Sequence, residues 1–218
     1  MLYAVEAPSR ENLWKQYEGN GSQLVKLETV WKFQGDPRAH TGGRVPSFVM
    51  GMGSPSYTCL PPPVVDEKGR IFMLFGHDAW NGARPFRSWM ACIDAKTGKL
   101  IWGTPNIEGG AITTAAIENG LVYIGDRRGY FYCFDAQTGK EHWKLRLRGD
   151  MWAKPLIADE KIYIGTNHRM FYVLKTGLEP KIISQINMPG PIFAPAAASG
   201  NTLYVAGDEF LYAIEGEK

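Results

Sequence analysis

The stretch Ala91-Cys-Ile-Asp94-Ala-Lys-Thr97-Gly98-Lys-Leu-Ile-Trp102 returns further along the chain as Tyr132-Cys-Phe-Asp135-Ala-Gln-Thr138-Gly139-Lys-Glu-His-Trp143. Asp, Thr, Gly and Trp stay in register between the copies, which sets a unit of about 41 residues, within the range of propeller blades. Such a repeat constrains the fold more than any single-residue motif, because each unit is one supersecondary element that must bury its faces against its neighbours.

Fainter copies extend the series. Phe171-Tyr-Val-Leu174 and Leu211-Tyr-Ala-Ile-Glu215 fall near the same period, and Leu2-Tyr-Ala-Val-Glu6 opens the chain. Ahead of the copies lie Arg70–Gly76, Leu121–Gly125, Lys161–Gly165 and Thr202–Ala206, β-branched and aromatic runs bounded by Gly, Asp and Asn that read as strands. Further upstream, runs beginning at Ala111, Trp152 and Phe193 are rich in small side chains, which suit the crowded innermost strand of a blade.

Each unit therefore reads as four short antiparallel strands: small inner, Tyr-bearing second, third ending in Asp, outer ending in Trp. The expected fold is an all-β propeller of four-stranded antiparallel blades. A partial blade is expected over 1–35, a long loop over 36–56, blades over about 57–103, 111–146 and 151–187, and a second partial blade over 191–218. Five third-strand motifs with incomplete blades at both ends suit an arc of a larger ring, of seven or eight blades, better than a small closed one. In the turn, Asp94 and Asp135 can accept backbone N–H groups and Gly98 and Gly139 supply positive φ. Trp102 and Trp143 are placed to pack aromatic surface against a neighbouring blade. These six residues read as structural.

The chain has 218 residues, 44% hydrophobic and 12% aromatic, enough for a substantial core with almost no helix expected. Its 24 basic and 22 acidic residues give a net charge of +2, so there is no electrostatic case for nucleic acid. The basic runs Arg127-Arg128 and Arg146-Leu-Arg148 read as solvated turns and outer strand. No window reaches the apolar length of a membrane span, and the first residues lack the pattern of a signal peptide. Of three cysteines, Cys92 and Cys133 hold equivalent positions in successive units and read as buried small hydrophobes; Cys59 stands outside the repeat.

Ala91 to Trp102 resembles the tryptophan-docking motif, Ala-x-Asp-x-x-Thr-Gly-x-x-x-Trp, of the pyrroloquinoline quinone (PQQ) repeat family. The family includes PQQ- and calcium-dependent dehydrogenases as well as BamB-like assembly proteins and other repeat proteins that carry no quinone. The resemblance implies an extracytoplasmic, periplasmic location. Departures point away from the dehydrogenase branch: there is no Cys-Cys pair, and Asp94, Asp126, Asp135, Asp159 and Asp208 sit in turns rather than in a compact calcium-ligand run. Trp152 and Lys154, at the start of an inner strand, are weak candidates for a cofactor funnel, although an inner-strand core role serves Trp152 as well.

Two segments break the repeat, Gly35–Pro55 and Gly76–Trp89. Loops that interrupt a rigid repeat are where function concentrates. His40, Arg44, His77, Asp78, Trp80, Arg84 and Arg87 form a candidate partner surface, set against ordinary loop drift. Gly51-Met-Gly-Ser54 is no nucleophile elbow, the histidines have no metal-ligand spacing, and Asn20-Gly-Ser22 is a short glycosylation-type match. The reading that results is a non-catalytic, cofactor-free propeller that serves as a scaffold for a protein partner or is completed by further blades. Its alternatives are part of a PQQ- and calcium-dependent quinoprotein dehydrogenase, or the ligand-sensing propeller of a signalling protein.

Overall fold

The computed structural model describes residues 2–5, 29–33, 61–75, 88–110 and 112–216. They form antiparallel sheets joined in chain order. The two-stranded sheet pairs β1 (Leu2–Val5) with β2 (Thr29–Phe33), Ala4 opposite Trp31. Three four-stranded meanders follow. The first has β3 (Val64–Val65), β4 (Arg70–Phe75), β5 (Ser88–Asp94) and β6 (Leu100–Ile107). The second has β7 (Ala116–Glu118), β8 (Leu121–Gly125), β9 (Tyr130–Asp135) and β10 (Glu141–Arg146). The third has β11 (Leu156–Ala158), β12 (Lys161–Gly165), β13 (Met170–Lys175) and β14 (Ile182–Asn187). A three-stranded sheet, β15 (Ala197–Ser199), β16 (Thr202–Ala206) and β17 (Leu211–Glu215), completes the series.

This is the all-β architecture of four-stranded antiparallel blades that the repeat predicts. Two details differ. The inner strands β7, β11 and β15 are only three residues long, so Trp152 and Lys154 precede β11 instead of opening it. In the third blade the cause is local: Pro155 has no N–H to give a ladder, so pairing starts at Leu156. The outer strand also runs past its Trp, to Ile107 and to Arg146, because pairing with the third strand continues to Ser88↔Ile107 and Tyr130↔Arg146.

The core lies between blades, and strand alternation builds it. On β5, Met90 and Cys92 face the second blade and pack with Val122, Ile124, Tyr132 and Phe134, while Trp89, Ala91 and Ile93 pack on the other face. On β9 the faces split likewise: Tyr132 and Phe134 look back at the first blade, Phe131 and Cys133 forward at Ile162, Ile164, Tyr172 and Leu174. Fully burying side chains of this size contributes about 1.5–3 kcal/mol each. Cys92 and Cys133 thus point into different interblade layers, and both are free and buried. Burial pushes each thiol up to about 12.

The outward layers are thinner. In the third blade Phe171 packs with Met188, Ile192 and Val205. Beyond that layer Leu211 is 71% exposed, and Tyr204 and Ala213 on the same face are exposed with it, so the last sheet keeps one face uncovered.

Candidate functional site

The repeated turn shows its physics directly. Asp94 Oδ1 accepts the Thr97 backbone N–H at 2.7 Å and its hydroxyl at 2.6 Å, and Asp135 Oδ1 accepts the same pair from Thr138 at 2.7 and 2.8 Å. Gly98 and Gly139 close the turns at φ 69° and 73°, donating N–H to the carbonyls of Asp94 and Asp135. Bonding from the Thr hydroxyl, joined by backbone N–H groups, holds both carboxyls below the usual carboxylate value. Ala95 and Ala136 then donate to Gly69 and Gly120, fixing the turn to the preceding hairpin.

Each tryptophan reaches the turn of the next blade. Trp102 Nε1 donates to the Ala136 carbonyl at 3.0 Å, and Trp143 Nε1 donates to the Gly177 carbonyl at 3.0 Å. The Trp102 ring lies over Gly139, where an added Cβ would meet it at 2.5 Å. Arg70 Nη1 also donates to the Ala136 carbonyl at 2.7 Å, while the same guanidinium pairs with Asp66 at 2.6 Å. All these groups act between or within blades.

Asp126 is fully buried, and its position in the sequence did not single it out from other turn acids. Oδ1 accepts the N–H groups of Arg128 and Tyr130 at 2.8 and 2.9 Å; Oδ2 accepts Gly109 N–H and the Tyr132 hydroxyl at 2.8 and 2.9 Å. The Tyr132 oxygen in turn accepts the Glu108 N–H at 3.0 Å. In the third blade Thr166 and Asn167 divide the work, with Thr166 Oγ1 accepting Met170 N–H and Asn167 Oδ1 accepting Asp150 N–H.

These contacts bear on whether a quinone and calcium suit the residues. Asp126 already accepts four donors, Asp94 and Asp135 close turns, and Asp159 pairs with Lys161. Among the described residues no three His, Cys, Asp or Glu side chains gather where they could hold a metal ion. Trp152 stands edge-on to Phe193 at 5.6 Å and carries the Arg127 guanidinium 5.1 Å from its centroid; Lys154 is exposed. Trp152 thus packs against side chains from both neighbouring repeats. His40, Arg44, His77, Asp78, Trp80, Arg84 and Arg87 lie outside the described residues, as does Cys59.

The basic runs lie as expected, Arg127 and Arg128 in the β8–β9 turn and Arg146 at the end of outer strand β10, with Arg128, Arg146 and Arg148 exposed. Arg128, Arg146 and Arg148 line one cleft of about 530 Å³ with Leu147, Gly149, Asp150 and His168. No helix among the described residues is long and apolar enough to cross a membrane.

Residues 87–179 match the family model described as outer membrane protein assembly factor BamB. The chain is similar to the outer membrane protein assembly factor BamB of Yersinia pestis, 26% identical over 153 residues, covering 60% of this chain and 38% of that protein. It is also similar to the quinoprotein alcohol dehydrogenase PedE of Pseudomonas putida, 33% identical over 81 residues, 35% of this chain and 12% of that one. The chain therefore spans well under half the length of these curated relatives. Among solved structures, BamB from Moraxella catarrhalis superposes with a TM-score of 0.57 at 19% identity, over 73% of this chain and 47% of that one, which shows a shared fold. With the repeated turn and the antiparallel blades, these matches support a resemblance to the PQQ-like β-propeller repeat family, to which BamB and the quinoprotein repeat proteins are similar.

Proposed function

We propose that this protein is a non-catalytic binding or assembly scaffold, its blades forming part of a larger seven- or eight-bladed ring in an extracytoplasmic compartment. The observation that carries the reading is the uncovered face of the last sheet, where Tyr204, Leu211 and Ala213 remain exposed on the side opposite Val205. Contiguous apolar surface of this kind is covered in use, by further blades or by a partner. The turn carboxylates support it, since they are engaged in holding turns and blades together. The names of the BamB relatives support an assembly role over a catalytic one.

A second reading, part of a PQQ- and calcium-dependent dehydrogenase, draws on the similarity to PedE. Native mass spectrometry of the full-length, natively purified protein, with simultaneous ultraviolet–visible absorbance, separates the two. A chromophore-free complex with another protein is expected; a mass increment matching quinone and calcium would overturn the scaffold reading.

A further inference from the structure

We infer that the cleft between the second and third blades binds an acidic peptide segment of a partner protein, an inference that rests on the scaffold reading and names the chemistry of one contact surface. Its walls come from separate parts of the sequence. The register of the β9–β10 hairpin sets Arg146 opposite Tyr130, and Leu147 N–H donates to the Gly129 carbonyl at 2.8 Å, so the β8–β9 turn carrying Arg128 lies beside the end of β10. His168 arrives from the β12–β13 turn of the third blade.

The cleft is held open by buried anchors. Leu147, just past the end of β10, is buried between Arg146 and Arg148, and both arginines are exposed. Arg146 lies 4.7 Å from the Tyr130 centroid, and the Arg148 N–H donates to the Tyr172 hydroxyl at 3.0 Å. Gly149, at φ 98°, lets the connection press against the third blade, since a Cβ there would sit 2.7 Å from His168 Cβ.

Charge decides the occupant. Arg128, Arg146 and Arg148 are exposed and make no ion pair with described residues, whereas the cleft's acid, Asp150, faces Arg127 at 4.0 Å. Three guanidinium forks, none of them ion-paired within the described residues, suit bidentate pairing with carboxylates. The volume of about 530 Å³ accepts a few residues of extended chain. Nucleic acid is disfavoured because the chain as a whole carries a net charge of only +2.

The test is fluorescence polarisation of the full-length protein with a labelled hexapeptide of alternating Asp and Glu, against its Asn and Gln counterpart. The acidic peptide binds, the neutral one does not, and the triple charge reversal R128E/R146E/R148E weakens binding by about tenfold or more. K175E/K181E, at the opposite end of the third blade, leaves binding within about twofold, as rim charges remote from a contact do. Single Arg128→Gln and Arg148→Gln variants carry the test if the triple variant does not fold, each weakening binding several-fold. Equal binding of the neutral peptide, indifference to these substitutions, or tighter binding of an equally charged single-stranded oligonucleotide would overturn the proposal. Native mass spectrometry separates the two readings: a partner complex that survives R128E/R146E/R148E removes the cleft and leaves the scaffold, whereas bound quinone removes the scaffold itself.

Discussion

The Trp102 indole N–H reaches across a blade boundary to the carbonyl of Ala136 at 3.0 Å, so the outer strand of one blade is fastened to the third-strand turn of the next. The Trp143 bond to Gly177 repeats the fastening one blade later. Blade cohesion therefore rests on a directional bond and on a large ring buried over a glycine.

That arrangement predicts a contrast between two glycines of similar φ. Gly139→Ala forces a Cβ into the Trp102 ring at 2.5 Å as well as into a left-handed backbone, whereas Gly120→Ala, at φ 76°, meets nothing within 4 Å. Gly120→Ala should cost only the backbone penalty of about 1–2 kcal/mol. Gly139→Ala should cost that plus an overpacking penalty of about 1–3 kcal/mol. Urea denaturation of the two variants checks the difference, and equal losses would contradict the docking geometry.

Removing the Asp126 carboxylate should destabilise the protein by about 3 kcal/mol or more, because three backbone N–H groups and the Tyr132 hydroxyl lose their acceptor together. Asp126→Ala measured by urea denaturation tests this. A loss within about 0.5 kcal/mol, the range of an ordinary surface substitution, would show that Asp126 is not the node described.

Acid should loosen the repeated turns. Asp94 and Asp135 have folded pKa values below the ordinary 3.8, through the Thr97 and Thr138 hydroxyls first and backbone N–H groups after. A depressed carboxylate contributes stability above its unfolded pKa and loses it as pH falls through the folded value. Thermal unfolding between about pH 5 and pH 2 should therefore fall less steeply for the double variant T97V/T138V than for the parent. Parallel pH profiles would contradict this source of acid sensitivity.

Cys92 and Cys133 should resist alkylation in the native protein. With both thiols pushed up to about 12 by burial, almost no thiolate forms at about pH 8, and the thiolate is the reacting species. Peptide mapping after iodoacetamide treatment should find both unmodified before denaturation and modified after it. Native labelling at the rate of a free thiol would mean that the interblade layers open readily.

The strands and their order were legible because each carries a β-branched or aromatic run punctuated by Gly, Asp or Asn, as in Lys161–Gly165 and Tyr130–Asp135. The turn chemistry of Asp94 and Asp135 was legible for the same local reason. Inner-strand length was not, because small residues suit an inner strand whether or not they enter its ladder, and Pro155 alone marked a limit. The acceptor of Trp102 lies in another blade, and the burial of Asp126 depends on Gly109 and Tyr132 closing over it. The gathering of Arg128, Arg146, Arg148 and His168 likewise follows from hairpin register and blade stacking, neither of which a run of sequence displays.

The central claim, a scaffold that works without quinone, is tested most directly by calorimetry of the full-length protein with and without PQQ and calcium. A ligand at about 100 times its Kd stabilises the folded state by about 2.7 kcal/mol, an increment readily seen as a rise in Tm. The scaffold account predicts an unchanged Tm. A saturable rise that requires both PQQ and calcium would contradict it and make the propeller a quinoprotein site.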